Sequence, residues 1–226
     1  MKKLIYFIIH KFIFFFNKNI KIYSGVNINF NTKLEGHNVI YKNSDIKNLE
    51  LGFGSYIGPG CFLNNMKIGK YCSIGPRVKI IQGLHPSEHF VSSHPSFYST
   101  KKQAGFTFVH ENIFKEEVYT QNGYEAEIGN DVWIGSDVLI MAGVTIASGA
   151  IIGTGSIVTQ DIEAYSIAKG VPAKSNKFRF SKDHISFLLK RKWWDFDFQD
   201  LKSNISLMSN IDLFYENLKA RNDGQN

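Results

Sequence analysis

Residues 128–162 read IGNDVWIGSDVLIMAGVTIASGAIIGTGSIVTQDI, and this stretch decides the fold. An aliphatic residue returns at every sixth position, and a second apolar or small residue follows each of these anchors by four positions. Six successive matches to one template lie far beyond chance, so the period is a property of the structure. The anchors are Ile128, Ile134, Ile140, Ile146, Ile152 and Val158, and their followers are Val132, Val138, Val144, Ala150, Ser156 and Ile162.

The same six-residue step occurs earlier in the chain, in three blocks separated by five-residue slips. Glycine often fills the position directly after an anchor, although the earliest block lacks these glycines and is the weaker half. The earlier anchors are Ile22, Ile28, Leu34, Ile40 and Ile46, then Leu51, Ile57 and Leu63, then Ile68, Ile74 and Ile80.

A period of six fits neither an α-helix nor a long alternating strand. An anchor and the residue two before it, such as Ile134 and Val132, point the same way in an extended chain. Six residues therefore form a short strand with two inward side chains, followed by a corner. We expect the glycines at these corners because glycine tolerates a positive φ. Stacked coils of this kind predict an all-β fold, a parallel β-helix.

The repeat resembles that of the hexapeptide-repeat acyltransferases, and the segment at 170–174 (GVPAK) resembles the point where their chain leaves the coil. The resemblance implies a left-handed coil. Closer similarity is to the xenobiotic acetyltransferase branch, which includes chloramphenicol and streptogramin acetyltransferases and enzymes that acetylate bacterial surface sugars. The residues that carry it are His85-Pro86-Ser87-Glu88, the segment SHPSFY at 93–98, KFRF at 177–180 and Trp193-Trp194.

The repeat stops between Ile80 and Ile128, and a stretch of this length without its own repeat is usually functional. It carries His85, His89, His94 and His110. Neutral imidazole suits proton removal from an attacking hydroxyl at cellular pH. The resemblance implies this role for His85, with His94 as runner-up; the alternative is a surface histidine without a role. We expect no metal, because three histidines in one loop make an unusual ligand set.

The resemblance also implies acetyl-coenzyme A as co-substrate and a homotrimer with the donor in the groove between subunits. Matching positions are Gly135 and Ser136 near the thioester, Thr154 and Thr159 along the pantetheine arm, and Lys174 and Lys177 toward the phosphates. Trp133 is a candidate wall of the acetyl pocket, or equally a core or corner aromatic, and the glycine and threonines equally suit plain repeat corners. Gln160 stands where several members have Lys, and Asn64 is a candidate acceptor contact.

Three segments are expected: an apolar helical segment at 1–21, the β-helix at 22–175 with a loop at 82–127, and a helical extension at 176–226. The apolar run Leu4–Phe16 is too short to span a bilayer, so it packs on the protein or touches a membrane surface. Ser181 is expected to cap a helix through Ile185, Leu188 and Leu189. A second helix is expected over Leu201, Ile205, Met208, Ile211, Phe214 and Leu218.

The net charge of +6 and the pI of about 9.1 suit a polyanionic ligand, and nucleic acid is the least favoured partner because the chain carries no dense basic stripe or binding motif. Two cysteines, Cys61 and Cys72, are expected as buried free thiols in a cytoplasmic setting. The function expected is O-acetylation of a sugar hydroxyl in capsule or lipopolysaccharide synthesis, at or near the inner membrane face. Alternatives are an antibiotic acetyltransferase and a non-enzymatic scaffold.

Overall fold

A computed structural model of the chain describes residues 19–223. The expected N-terminal helical segment, with its apolar run Leu4–Phe16, lies almost entirely outside the described residues. Short strands of two to five residues dominate the described part. They are β1 (Lys21–Ile22), β2 (Lys33–Leu34), β3 (Val39–Ile40), β4 (Glu50–Leu51), β5 (Tyr56–Ile57), β6 (Met66–Ile68), β7 (Ser73–Ile74), β8 (Lys79–Ile81), β9 (Ala126–Ile128), β10 (Trp133–Ile134), β11 (Leu139–Met141), β12 (Val144–Ile146), β13 (Ile151–Ile152), β14 (Ile157–Val158), β15 (Ser166–Lys169) and β16 (Lys174–Phe178).

The strands form three sheets that the chain visits in rotation, which is the arrangement of a triangular coil. Sheet A has the order β1-β3-β5-β7-β10-β13-β15-β16, sheet B the order β8-β11-β14, and sheet C the order β2-β4-β6-β9-β12. Neighbouring strands pair in parallel, and β16 closes sheet A by pairing antiparallel with β15. The prediction of a left-handed parallel β-helix with a long loop and C-terminal helices is confirmed.

The predicted anchors stack directly on one another inside the coil. In sheet A the register joins Ile40, Ile57, Ile74, Ile134 and Ile152 in one column of fully or almost fully buried side chains. Burying an isoleucine side chain contributes about 2 kcal/mol relative to leaving it exposed, so such a column is the main source of stability.

The glycines after the anchors are required by close stacking, and the expected positive φ is found elsewhere in the corner. A Cβ on Gly52 would lie 2.4 Å from the backbone carbon of Gly69 in the next coil, and Gly52 has no positive φ. The positive φ occurs two residues further on, at Gly54 (71°) and, in another corner, at Asp137 (60°). Our physical reason for the glycines at these positions was therefore wrong, although their place at the corners is right.

Three corners join the sheets. Corner AB, between sheets A and B, contains residues 75–77, 135–137 and 153–155. Corner BC, between sheets B and C, contains residues 64–65, 141–143 and 159–161, and the loop at 82–125 leaves from it. Corner CA, between sheets C and A, contains His37, Phe53, Tyr71, Asp131, Gly149 and Tyr165.

The first helix of the C-terminal extension begins as expected, after β16 has completed sheet A, and the second helix differs from the expectation. Ser181 caps α1 (Lys182–Arg191) by accepting the amide of His184. The expected second helix is divided into α2 (Phe198–Ser203), a 3₁₀ turn (Ile205–Ser209) and α3 (Ile211–Asp223). Asn210 explains the break before α3, because it has an extended backbone and its side chain accepts the first amides of α3. One continuous helix was therefore wrong.

The extension lies along corner CA of the coil. Phe180 contacts Tyr165 on the last coil, Trp193 contacts Tyr71 further down, and Phe198 stacks on His37 near the first coils. Trp193 thus packs back against the coil. These contacts run down the side of the coil.

Candidate active site

The loop at 82–125 is held by hydrogen bonds among its own residues. The hydroxyl of Thr107 donates to the carbonyl oxygens of Ser96 (3.1 Å) and Ser99 (2.9 Å). Ser99 in turn donates to a carboxylate oxygen of Glu116 at 2.8 Å. These bonds join the two halves of the loop, so the side chains that it presents have defined positions.

His85 is exposed and lies four residues after the end of β8, close to the rigid coil. Its Nδ1 is 3.0 Å from the carbonyl oxygen of Ser93 and 2.7 Å from the hydroxyl oxygen of Tyr98. A carbonyl oxygen can only accept, so the contact with Ser93 requires a proton on Nδ1. In neutral His85 the lone pair is then on Nε2, where it is available to take a proton.

His94 has the opposite arrangement. Its Nδ1 accepts the backbone amide of Ser96 at 3.2 Å and so caps a 3₁₀ turn (Pro95–Phe97). An accepting Nδ1 places the proton of the neutral ring on Nε2. Neither nitrogen of His94 is then free to act as a base without breaking the cap, so the geometry favours His85.

The structure brings Gly135, Ser136 and Thr154 together at corner AB. A Cβ on Gly135 would lie 2.6 Å from the backbone nitrogen of Thr154 in the next coil. Gly135 is therefore explained by stacking alone, while the exposed hydroxyl of Thr154 is available to a ligand. Beside Ser136, Arg77 and Asp137 form a two-point ion pair across neighbouring coils, with both N–O distances 2.6 Å.

Cationic side chains continue this corner toward the C-terminal end of the coil. By the pairing of β13 with β15, Lys169 lies one coil beyond Gly153, and its antiparallel partner is Lys174. Lys177 lies further along β16, opposite Ile167, and all three lysines are exposed. The sequence reasoning missed Lys169, because only the pairing of β16 brings it beside Lys174. The set suits a ligand with several phosphates.

Trp133 is 56% exposed on the outer face of sheet A, between Ser73 and Ile151 in register. The core position that we had considered for its ring is therefore excluded. Trp133 lies two residues before Gly135, in the strand of sheet A that leads into corner AB. It is a candidate wall for a ligand bound there.

Asn64 and Thr159 lie at corner BC, on the opposite side of sheet B from Gly135. Asn64 accepts the backbone amide of Lys47 at 2.6 Å, so its oxygen has a structural partner. Thr159 follows β14, two coils from Ile81, where the loop begins. These two residues are thus near the root of the loop that carries His85, and Thr159 is away from the other residues expected to bind acetyl-coenzyme A.

Metal binding finds no support in the part of the chain that the structure describes. Among residues 19–223, no three His, Cys, Asp or Glu side chains are grouped so that they could hold a metal ion. Within the same residues, no helix is long and apolar enough to cross a membrane.

Comparison with known proteins identifies the repeat. Residues 125–160 match the family model described as bacterial transferase hexapeptide (six repeats). A chloramphenicol acetyltransferase of Escherichia coli is 38% identical over 62% of this chain and 64% of its own length. One of Agrobacterium fabrum is 37% identical over 68% of this chain and 71% of its own length.

A probable macrolide acetyltransferase of Lysinibacillus sphaericus is 36% identical over 63% of this chain and 76% of its own length. The chain thus spans about two thirds to three quarters of the length of these relatives. The similarity extends well beyond the repeat of residues 125–160.

Proposed function

The chain belongs to the hexapeptide-repeat acyltransferases, in the branch of the chloramphenicol acetyltransferases, and from this premise we propose that it transfers an acetyl group from acetyl-coenzyme A to a sugar hydroxyl. The observation that carries the proposal is the contact between Nδ1 of His85 and the carbonyl oxygen of Ser93. This contact places the proton of the neutral ring on Nδ1, so the lone pair of Nε2 is available to accept a proton.

The reaction is a direct transfer. The acceptor hydroxyl attacks the thioester carbonyl while Nε2 of His85 removes its proton, and backbone amides stabilise the developing oxyanion. The C–S bond then breaks, and the imidazolium returns the proton to the departing sulfur. The products are an acetyl ester and free coenzyme A, and the imidazole is neutral again.

Corner AB is the proposed path of acetyl-coenzyme A. The hydroxyls of Ser136 and Thr154 lie along it, and Lys169, Lys174 and Lys177 follow at its far end. Neighbouring coils are about 5 Å apart. The row of hydroxyls at corner AB therefore runs along an extended pantetheine arm, and the phosphates of coenzyme A lie at the lysines. These cations supply charge that Gln160 does not.

A homotrimer completes the site in this proposal. Within one protomer, His85 belongs to corner BC and Ser136 to corner AB, on opposite sides of sheet B. A neighbouring copy brings its corner AB to the loop of the first, and the donor then lies in the groove between them. Asn64, near the loop root, is the proposed contact for the acceptor, and Thr159, at the same corner, is the proposed contact for the pantetheine arm.

The acceptor has two candidate classes. A sugar of a capsule or lipopolysaccharide precursor is our first choice, with the enzyme in the cytoplasm at the inner face of the membrane; the apolar run Leu4–Phe16 supports this location. Chloramphenicol or a similar antibiotic is the second, favoured by the identity to chloramphenicol acetyltransferases.

Thiol release from acetyl-coenzyme A, measured with nucleotide sugars, capsule or lipopolysaccharide oligosaccharides and chloramphenicol, tests the proposal. We expect release with a sugar acceptor and an acetyl ester in the product by mass spectrometry. A higher kcat/KM for chloramphenicol than for every sugar would contradict the acceptor class. Absence of acetyl-coenzyme A binding in calorimetry would favour the non-enzymatic scaffold.

A further inference from the structure

Tyr98 is a large polar side chain that takes no direct part in the proposed proton transfer. It follows the 3₁₀ turn of the loop and is completely buried (0% exposed). Its ring is held edge-on by Phe114, with centroids 5.4 Å apart, and by Phe90 at 6.1 Å. Its backbone is fixed as well, because its amide donates to Pro95 and its carbonyl accepts from Ile113.

The hydroxyl of this buried ring lies against the base. The Tyr98 oxygen is 2.7 Å from Nδ1 of His85, closer than the Ser93 carbonyl oxygen at 3.0 Å. A proton on Nδ1 satisfies both oxygens at once, because a phenol oxygen can accept as well as donate. With the other tautomer, the lone pair of Nδ1 would face the lone pairs of Ser93.

We propose that Tyr98 is a positioning residue, which orients the imidazole of His85, holds the proton on Nδ1 and stabilises the imidazolium that forms when Nε2 takes a proton. Its kinetic consequences rest on the proposed function, but its effect on the tautomer and the pKa of His85 does not. The Nδ1–H remains in place throughout the reaction, so the contact strengthens as the ring becomes positive.

The charges around Tyr98 fit this role. Burial raises the pKa of the Tyr98 hydroxyl, the nearby Glu116 carboxylate raises it further, and Lys101 opposes them. The hydroxyl therefore stays neutral across the working pH range and acts as a dipole. Glu116 is itself held by Ser99 and Lys101, so it does not compete for the ring of His85.

The test is nitrogen NMR of the full chain, which reads both ring nitrogens of His85 over a pH titration. We expect a protonated Nδ1 in the neutral ring of the wild type. Tyr98→Phe keeps the ring packing and removes the hydroxyl, and we expect a lower pKa of His85 together with a larger fraction of the other tautomer. Tyr165→Phe, which removes a hydroxyl from another buried tyrosine, is the matched control and should change neither.

In kinetics we expect Tyr98→Phe to lower kcat about 10-fold, with an unchanged KM for acetyl-coenzyme A and the acid limb of the pH–rate profile moved to lower pH. An unchanged pKa and tautomer of His85 in Tyr98→Phe would overturn the proposal. So would a wild-type spectrum with the proton on Nε2, which needs no variant. Because these readings need no substrate, they are independent of whether acetyl transfer is found.

Discussion

His94 and Ser96 form a side-chain cap: Nδ1 of the imidazole accepts the Ser96 amide at 3.2 Å. This bond commits His94 to the structure of the loop, although it lies only one residue after Ser93, the partner of His85. Of the two candidate bases in this loop, His94 therefore serves as a cap, and His85 remains the proposed base.

The first prediction concerns this cap. His94→Ala should lower the free energy of unfolding by about 1 kcal/mol, since an amide of the 3₁₀ turn loses its acceptor, and should change turnover little. His94→Asn should restore stability because its oxygen can accept the same amide. Urea unfolding and acetyl-transfer rates measure both. A loss of turnover in His94→Asn as large as in a variant at His85 would give His94 a chemical role.

A second prediction concerns stacking at corner AB. Gly135→Ala should destabilise the chain by about 2 kcal/mol, because the added Cβ would lie 2.6 Å from the Thr154 backbone. Ala147 occupies the equivalent position after Ile146, at corner CA, so Ala147→Gly should cost less than about 1 kcal/mol. Urea unfolding of both variants decides the matter. A small loss of stability in Gly135→Ala, equal to that in Ala147→Gly, would mean that the coils can separate at corner AB.

A third prediction uses a partly buried ion pair. Arg179 donates to the Asp131 carboxylate (2.9 Å) and to the Gly149 carbonyl (2.7 Å), and so joins the C-terminal extension to the coil. Burial raises the pKa of Asp131, and Arg179 opposes that rise. Arg179→Ala should cost about 2 kcal/mol at pH 7.

The sign of its pH dependence follows from the same group. Without Arg179 the folded-state pKa of Asp131 rises further. The full free-energy cost of ionising this buried carboxyl therefore lowers stability only above that pKa. The cost disappears below the unfolded pKa, near 4, where the carboxyl is neutral in both states. Unfolding measured at pH 7 and again below pH 4 should therefore show the larger loss at pH 7. A loss that is the same at both values would leave the hydrogen bond to Gly149 and the packing of Arg179 on Tyr165 and Phe180 as its whole contribution.

A fourth prediction concerns the thiols. Burial raises the pKa of Cys61 to about 11 and that of Cys72 to about 12, so almost no thiolate is present at pH 8. Neither cysteine should react with Ellman's reagent in the folded chain, and both should react in denaturant. Fast reaction of either thiol before unfolding would show that the coil opens locally.

The coil was predictable because its signal is repetitive. Each coil requires an aliphatic side chain that points inward, such as Ile74 or Ile134. Because the same weak preference recurs in every coil, the preferences together predict one architecture. The glycines were placed correctly for the wrong reason, since a sequence does not show how close the next coil lies to Gly52.

The active-site loop was predictable only in part. Its histidines and its length indicated function, but nothing in the spacing of Ser93, Tyr98 and His85 shows that their polar atoms meet. Those contacts arise from the irregular path of the loop, which follows no period. Lys169 was missed for a similar reason, since its nearness to Lys174 depends on the antiparallel return of β16.

The most direct test of the account is the rate of acetyl transfer by His85→Ala, with coenzyme A affinity measured in parallel by calorimetry. We predict at least a ~100-fold lower turnover, because the attacking hydroxyl loses its base, and an affinity close to that of the wild type. A turnover near that of the wild type in the folded variant would contradict the assignment of His85 as the base.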